Sequence, residues 1–491
     1  MPSVGFGDRA LRFLSVAAIA LAVAVPGVPA QVATIAPGFN GDAIVRVAPG
    51  HSDSVAAFAR RAGAQDVQSL DTLDVVTAHL DASATRALAG NVAVRAIEAD
   101  GAIAASDLGP RESELPRGNG PAVNEAHAFR TLATGNGASI TVAVVDSGVA
   151  ENRDLSGKVL TRVDFVNDGV SSYDPGGHGT YVAGLIAGSV TGVNATAKIV
   201  SLRVLNERGV GRSRDALAAF DWLLRHRADY GVRVVNLSWG AVQRSSYDTD
   251  VLAAAAESLW FAGMTVVAAA GNDGPRAGTI NTPGSDPFII TVGSVDQGGT
   301  LPRGDDRESV WSSRGPTLDG FAKPELLAPG EDVVSLRVPG SFLDRWYSDH
   351  DSETGPRYTT MSGTSVSAAI VSGTASLLLS EHPSLTPTLV KTVLVGAAMK
   401  VRGSNTPELD PSRALHLNAT DTRKPANSGL RPSKLLLTVL AGMIGGSNIT
   451  WENLTWESIT WQTITWENIT WESLTWESVT WESLTWEARR K

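Results

Sequence analysis

The chain has 491 residues, more than one ordinary domain needs, with 41 basic against 51 acidic side chains and a net charge of −10. That balance excludes a dedicated nucleic-acid binder, whose footprint would be a basic stripe. The absence of cysteine excludes a disulfide framework, a thiolate zinc site and a cysteine nucleophile.

Residues 1–30 read as a signal peptide. Arg9 and Arg12 make a basic start, Phe13 to Val25 is apolar, and Val28-Pro29-Ala30 offers a small-residue cleavage site before Gln31. The apolar run is too short for a comfortable membrane span. The expected location is outside the cell, secreted or on the cell surface.

Residues 42 to 99 read as a small α/β unit. Ala43–Val47 is a strand, and Ser52 caps a helix through Ala62 with Val55, Phe58, Ala59 and Ala62 on one face. Leu73–Leu80 is a second strand, Ser83–Leu88 a short helix and Val92–Ile97 a last strand. A β-α-β-α-β order on so short a segment suggests a ferredoxin-like sandwich. Residues 101 to 125, rich in Gly, Pro and charge, read as an exposed linker.

From about 126 to 415, apolar strands alternate with helices. Ile140–Val145, Lys198–Val204, Val232–Leu237 and Thr265–Ala270 read as strands. His178–Ala187, Asp215–Arg227 and Val251–Phe261 read as helices. Continuous apolar strands separated by helices predict a doubly wound, three-layer α/β domain with a mostly parallel sheet. Residues 416–447 read as a linker ending in the short apolar stretch Leu435–Ile444.

The tail is a pentapeptide array with Trp451, Trp456, Trp461, Trp466, Trp471, Trp476, Trp481 and Trp486 at every fifth position. That period fits neither one face of a helix nor one face of a strand. It reads as a surface-attachment module or as a low-complexity spacer.

Four segments carry candidate chemistry. Ala143-Val144-Val145-Asp146-Ser147-Gly148 places an acid at the end of a buried strand, which alone is more often a turn or a helix cap. Gly177-His178-Gly179-Thr180 places a histidine among glycines at a helix start. Ala268-Ala269-Ala270-Gly271-Asn272 ends a strand on a side-chain amide that could donate to developing negative charge. Met361-Ser362-Gly363-Thr364-Ser365 enters a small-residue helix, whose free N–H groups favour an oxyanion; by itself a serine there is usually an N-cap.

Together and in this order, these segments resemble the subtilisin-like serine peptidases over residues 126 to 400. The order Asp…His…Ser is that of subtilisin. Tyr181 stands where a second histidine is usual, and Val366-Ser367 where Met-Ala is usual. Asn236-Leu237-Ser238-Trp239-Gly240 resembles the strand that pairs with substrate backbone, and Trp311-Ser312-Ser313-Arg314-Gly315-Pro316 is similar to another family landmark. The resemblance implies Asp146, His178 and Ser365 as a catalytic triad and Asn272 as the oxyanion donor. It also implies Ser238, Trp239, Gly240, Ala269 and Gly271 as substrate-binding residues.

The segments Ala84–Leu88 and Ile97–Asp100 are similar to the family's inhibitory propeptide; a small accessory domain is the alternative. The organisation expected is therefore a signal peptide over 1–30, a propeptide over 31–115, a catalytic domain over 116–415, a linker over 416–447 and a repeat tail over 448–491. The implied partners are protein or peptide substrates and the chain's own propeptide, with no nucleic acid, for a monomer that the tail could attach to a cell surface. Calcium is the cofactor to consider, because many relatives bind it and Asp154 sits where some use a carboxylate ligand. The segment Ser189–Lys198 is short and no acidic cluster has calcium-ligand spacing, so no residue is assigned to a metal. The implied function is that of a secreted, self-processed serine endopeptidase. The alternative is an adhesion protein in which the tail is the working part.

Overall fold

The computed structural model describes residues 39–106, 138–298, 303–346, 356–417 and 425–436. The expected signal peptide, most of the 101–125 linker and the Thr-Trp-Glu array lie outside the described residues.

The N-terminal unit has strands β1 (Gly41–Val47), β2 (Gln65–Leu70), β3 (Val75–Leu80) and β4 (Val94–Ala99). Its helices are α1 (Ser52–Arg61) and α2 (Ala82–Ala89). The sheet order is β2-β3-β1-β4, with β1 antiparallel to both neighbours. The sequence pattern misses β2 because Gln65, Asp66 and Gln68 give an edge strand with no apolar alternation. Its presence turns the expected order into β-α-β-β-α-β, the ferredoxin-like arrangement. Alternate residues Ala43, Val45 and Val47 of β1 pack with Val76, Ala78 and Leu80 of β3 against Val55, Ala59, Ala84 and Leu88 of the helices. Ser52 does not cap α1: it is the first helical residue, and His51 precedes it. The cap that forms is on α2, where the Asp81 carboxylate accepts from the Ser83 and Ala84 amides.

The start of the expected linker is a strand, β5 (Ala102–Ala105), and not exposed coil. Its four residues are too short a run to mark a strand; it is extended because it lies between two strand edges of the larger domain, with Ile103 and Ala105 buried in that domain's core.

That domain is built on parallel strands β6 (Thr141–Asp146), β7 (Val159–Asp164), β8 (Lys198–Arg203), β10 (Val232–Leu237), β12 (Thr265–Ala269), β14 (Ile290–Asp296) and β16 (Leu326–Pro329). The short strands β9 (Val210–Arg212), β11 (Trp239–Val242), β13 (Asn281–Thr282) and β15 (Arg307–Glu308) lie between them in sequence. The central order is β16-β14-β12-β10-β6-β8-β7. Crossovers are α3 (His178–Ala187), α4 (Ser213–His226) and α5 (Val251–Phe261). After the hairpin β17 (Val333–Leu336) and β18 (Tyr358–Met361), and the short α6 (Phe342–Trp346) between its strands, come α7 (Thr364–Glu381), α8 (Pro387–Ala397) and α9 (Pro411–His416). Helix α7 packs on α3 and on β10, β12, β14 and β16. Its small side chains leave it buried from Thr364 to Ser380.

The N-terminal unit docks on α4. Ile44, Leu70, Leu73 and Val75 join the larger domain's core. Asp221 of α4 accepts from the Thr72 amide and hydroxyl, and the Asp100 carboxylate accepts from the Arg214 amide.

The large domain does not end at 415. Residues 425–436, expected as linker, pack onto it: Asn427 donates to the Phe288 carbonyl, the Ser433 amide donates to Glu257 of α5, and Leu436 is buried.

Beneath α8 lies a buried ionic cluster. The Glu325 carboxylate meets the Lys323 ammonium at 2.6 Å and the Lys391 ammonium at 2.5 Å, and Lys391 also donates to the Pro287, Phe288 and Ile289 carbonyls. Burial pushes the Glu325 carboxyl up, and the two ammonium groups outweigh it, so its pKa lies below the ordinary range. A depressed carboxyl contributes stability above its unfolded pKa and loses it as pH falls through the folded value. Glu325→Gln removes the carboxylate in contact with both buried ammonium groups, leaving only the more distant Asp286 to face them, and should cost about 3–5 kcal/mol. Chemical denaturation of the chain with and without the change checks this through the unfolding midpoint. An unchanged midpoint refutes it.

Candidate active site

The parallel sheet places the ends of β6, β10 and β12 side by side, and the sequence puts polar residues just there: Asp146, Ser238 and Asn272. In an open parallel sheet this end, where strand order reverses, is where sites form. Asp146 is fully buried. Its Oδ1 accepts from the Ser147 amide at 2.7 Å and meets His178 Nδ1 at 2.6 Å. A carboxylate facing Nδ1 fixes that nitrogen as the protonated one and leaves Nε2 as the basic atom.

His178 opens α3. The glycines flanking it let neighbouring backbone approach closely. A Cβ on Gly179 would fall 2.0 Å from the Gly148 carbonyl oxygen and 3.1 Å from Asp146 Cβ. The missing side chain lets the strand end carrying the acid close onto the helix carrying the base. Gly177 precedes the helix at φ 92°, a left-handed position suited to glycine. Tyr181 is buried in α3: its hydroxyl donates to the Val333 carbonyl, and Ser335 donates to the Tyr181 carbonyl at 2.7 Å. It fixes α3 to β17.

Ser365 lies in the first turn of α7, and its hydroxyl makes no hydrogen bond. Its carbonyl accepts from Ser238 Oγ at 2.9 Å, and Ser238 Oγ in turn accepts from the Asn236 side chain at 2.9 Å. Ser372, two turns along α7, donates to the other end of the Asn236 amide at 2.9 Å. A closed polar network of this kind leaves no buried amide unsatisfied and sets the register of α7 on β10.

Asn272 is oriented from behind. Its Oδ1 accepts from the Thr364 amide at 3.1 Å and the Thr364 hydroxyl at 2.9 Å. The amide nitrogen is thereby aimed outward, and it donates to the backbone carbonyl of Ser106. Thr364 has no signal in the sequence apart from its place beside Ser365.

The residues expected to bind substrate lie around β5. Trp239 pairs with Ala105 and Gly240 with Ala104 in antiparallel register, while β9 pairs with the other edge of β5. The Ser106 amide donates to the Ser238 carbonyl at 3.1 Å. The Trp239 side chain plays no part in this edge; it is buried against Phe220 and donates to the Val145 carbonyl at 2.9 Å. Ala269 closes β12, and Gly271 turns beyond it with its amide donating to Thr364 Oγ1. One lining residue was not legible: Asn281 of β13. A Cβ on Gly240 would meet its Cβ at 2.7 Å, and a Cβ on Gly271 its amide nitrogen at 2.6 Å.

Among the described residues no three His, Asp or Glu side chains converge as metal ligands. The Asp154 carboxylate accepts the Tyr358 hydroxyl at 2.6 Å, and the Lys158 ammonium donates to the Ala187 carbonyl and to Ser189 Oγ nearby. These donors and a cation do not make a calcium cage.

Residues 137–425 match the profile of the subtilase family. The chain is 37% identical over 288 residues to the serine protease AprX of Bacillus subtilis (strain 168), covering 56% of this chain and 65% of that one. It is 31% identical over 263 residues to an extracellular serine proteinase of Thermus sp. (strain Rt41A), covering 53% of this chain and 56% of that one. Subtilisin DY of Bacillus licheniformis is 32% identical over 276 residues, 55% of this chain and 86% of that protein. Among solved structures, fervidolysin from Fervidobacterium pennivorans shares the fold, with a TM-score of 0.58 at 23% identity over 78% of this chain and 62% of that one. The chain therefore spans less than two thirds of AprX and of the Thermus enzyme. The family match covers more than half of the present sequence, and its residues supply the sheet, the acid–histidine pair and the serine-bearing helix described above: the chain belongs to the subtilase family.

Proposed function

We propose that the chain is a serine endopeptidase acting through an acyl-enzyme on Ser365. The observation that carries this reading is the Asp146–His178 pair, with Ser365 in the first turn of α7, the helix that packs on α3, and the Asn272 amide on a peptide carbonyl. His178 takes the Ser365 proton on Nε2 as general base and returns it to the leaving amine. Asp146 holds the tautomer and stabilises the imidazolium. Ser365 Oγ bonds to the scissile carbon as the C–N bond breaks, and water later hydrolyses the ester. Asn272 stabilises the tetrahedral oxyanion, a donor worth roughly 10²–10³ in rate in subtilisin itself.

The same geometry supports a self-processed precursor in which residues up to 106 are the propeptide. Strand β5 pairs as a substrate would, by strand addition, and the Ser106 carbonyl meets the oxyanion donor. The cut then falls between Ser106 and Asp107, nearer the N-terminus than the boundary at 115 expected from sequence. The mature wild-type enzyme should begin at Asp107 and label with a fluorophosphonate, whereas Ser365→Ala should stay uncut, unlabelled and inactive on casein. Fully active enzyme beginning at Gln31, or casein hydrolysis by Ser365→Ala, would sink the proposal.

Substrates on this reading carry neutral, small or apolar side chains before the cut. The Asn281 side chain stands against Gly271 and against Gly240, which pairs with β5, so an uncharged side chain would limit the depth available to the substrate residue. Asn281→Gly should raise kcat/KM for peptides with Phe or Leu at that position roughly 10-fold or more, relative to Ala. A library profile that stays unchanged, or that prefers Lys or Arg, counts against it.

Secretion and attachment through the repeat tail complete the proposal; the N-terminal leader and the Trp array motivate them. Because residues to 436 are packed, a truncation that tests the tail belongs after Leu436. Such a chain should keep full peptide hydrolysis and lose association with cells or wall material. Equal retention on cells would reject the attachment role, and the adhesion alternative gains if the tail alone binds.

A further inference from the structure

Asp174 lies outside the four sequence motifs and is fully buried, four residues before His178. Its Oδ1 accepts from Ser147 Oγ at 2.8 Å and the Gly177 amide at 2.7 Å. Its Oδ2 accepts from the Thr180 amide at 2.8 Å and the Thr180 hydroxyl at 2.5 Å. Both hydroxyls have their donor role fixed, because each also accepts an amide: Gly179 into Ser147 Oγ at 2.9 Å, and Ala150 into Thr180 Oγ1 at 2.8 Å. Four donors thus fill the four acceptor positions of a carboxylate, and a carboxylic proton would find no acceptor among them.

The placement has two consequences. Ser147 follows Asp146 and Gly179 follows His178, so the Asp174–Ser147–Gly179 chain ties the acid's strand end to the base's helix on the side opposite the direct Asp146–His178 contact. The second is electrostatic. His178 opens a ten-residue helix, and the free amides of a helix N-terminus disfavour an imidazolium there. The proposed mechanism needs that imidazolium in the transition state. A buried anion that accepts the Gly177 and Thr180 amides cancels the opposing potential where the proton must be held.

We infer that Asp174 is a positioning residue of the active site, an ionised carboxylate that neutralises the N-terminus of α3 and braces Asp146 against His178. Burial pushes its carboxyl up and outweighs the lowering by the hydrogen bonds from Thr180, Ser147 and Gly177, so the net shift is upward; the four fixed donors are what favour the ionised form. The other charged groups near this helix start are Asp146 on β6, Arg203 paired opposite it on β8, Arg162 on β7 over the Tyr173 ring, Asp154 with its Tyr358 partner, Glu207 beyond β8, and the Arg337–Asp344 pair on the segment that packs on Gly176 and Gly177. None of them touches the α3 amides that Asp174 accepts.

The inference rests on the reading of His178 as general base, so labelling of wild-type Ser365 by a fluorophosphonate is scored first; failure there removes the triad itself. With labelling in hand, kcat and KM are measured from pH 5 to 10 for matured wild type, Asp174→Asn and Ser147→Ala. Asp174→Asn should lower kcat at least 10-fold with little change in KM, and should move the acid limb of kcat/KM down by about half to one pH unit. Ser147→Ala keeps the charge and removes one strut, so it should lower kcat while leaving the acid limb in place. An Asp174→Asn enzyme with a wild-type acid limb overturns the inference. Should Asp174→Asn fail to fold, the carboxyl carbon of Asp174 is followed by NMR in the full wild-type chain. A carboxylate signal throughout the acid limb supports the inference, and a protonated signal there overturns it.

Discussion

Helix α7 is the constraint on which the rest of the structure depends. It runs from Thr364 to Glu381 through the middle of the larger domain, and it is buried on every side until its last turn. A helix buried all round needs close approach by its neighbours, and the sequence meets this with Ser, Thr, Ala and Gly in place of an apolar stripe. Gly373 lies against Val193, where a Cβ would come within 2.7 Å. The hydroxyls are then a liability, because each needs a partner in the core. Thr374, Ser376 and Ser380 return theirs to the helix's own carbonyls, while Ser367 and Ser372 reach across to Ala328 and Asn236. One hydroxyl is not satisfied in this way, that of Ser365. The residue proposed as nucleophile is thus the one whose polar atom the packing leaves uncommitted.

The same logic runs through the acid and the base. Asp146 and Asp174 are both buried, and a buried carboxylate is tolerated only when donors surround it. Ser147 serves both: its amide goes to Asp146 and its hydroxyl to Asp174. The histidine is therefore held between two buried carboxyl groups, one at its Nδ1 and one beneath its helix start; both oxygens of Asp174 are hydrogen-bonded, whereas Asp146 Oδ2 has no partner among the described residues. Rigid elements position all three partners, since β6, α3 and α7 share one core. A site fixed in this way has little reorganisation left to do when charge develops.

Much of this was legible in the sequence, for physical reasons that differ by element. The parallel strands were readable because burial on both faces demands unbroken apolar runs such as Val142–Val145 and Val266–Ala269. The positions proposed as the triad stood out because glycine crowding and strand ends leave a local signature around Asp146, His178 and Ser365. Strand β2 was not, since an exposed edge strand carries no periodicity. Strand β5 was not, because its extended form comes from the two edges that flank it. The roles of Thr364, Asp174 and Asn281 depend on contacts across 92, 27 and about 40 residues of chain, with Asn272, Ser147 and Gly240 respectively, and nothing local marks them. The packing of 425–436 was hidden in the same way, because Ser433 and Asn427 find their partners on α5 and before β14.

Strand β5 also explains how one site can hold a peptide without consuming competing ones. A free peptide must give up translational and rotational freedom to add as a strand between β9 and β11. The chain's own segment has met that cost through the docking of the N-terminal unit, whose apolar residues Ile44, Leu70, Leu73 and Val75 join the core of the larger domain. While covalently or tightly held, it competes as an intramolecular ligand, with an effective concentration of order millimolar for a short connection. Main-chain pairing supplies the affinity, so the inserted residues can be plain: Ala102, Ile103, Ala104, Ala105 and Ser106 need no charged anchor. Breaking the bond after Ser106 would not by itself clear the cleft, because among the described residues every strand contact of this segment lies before that bond. Release has to come from loss of the docked unit, and the α4 contacts made by Thr72 and Asp100 set that step.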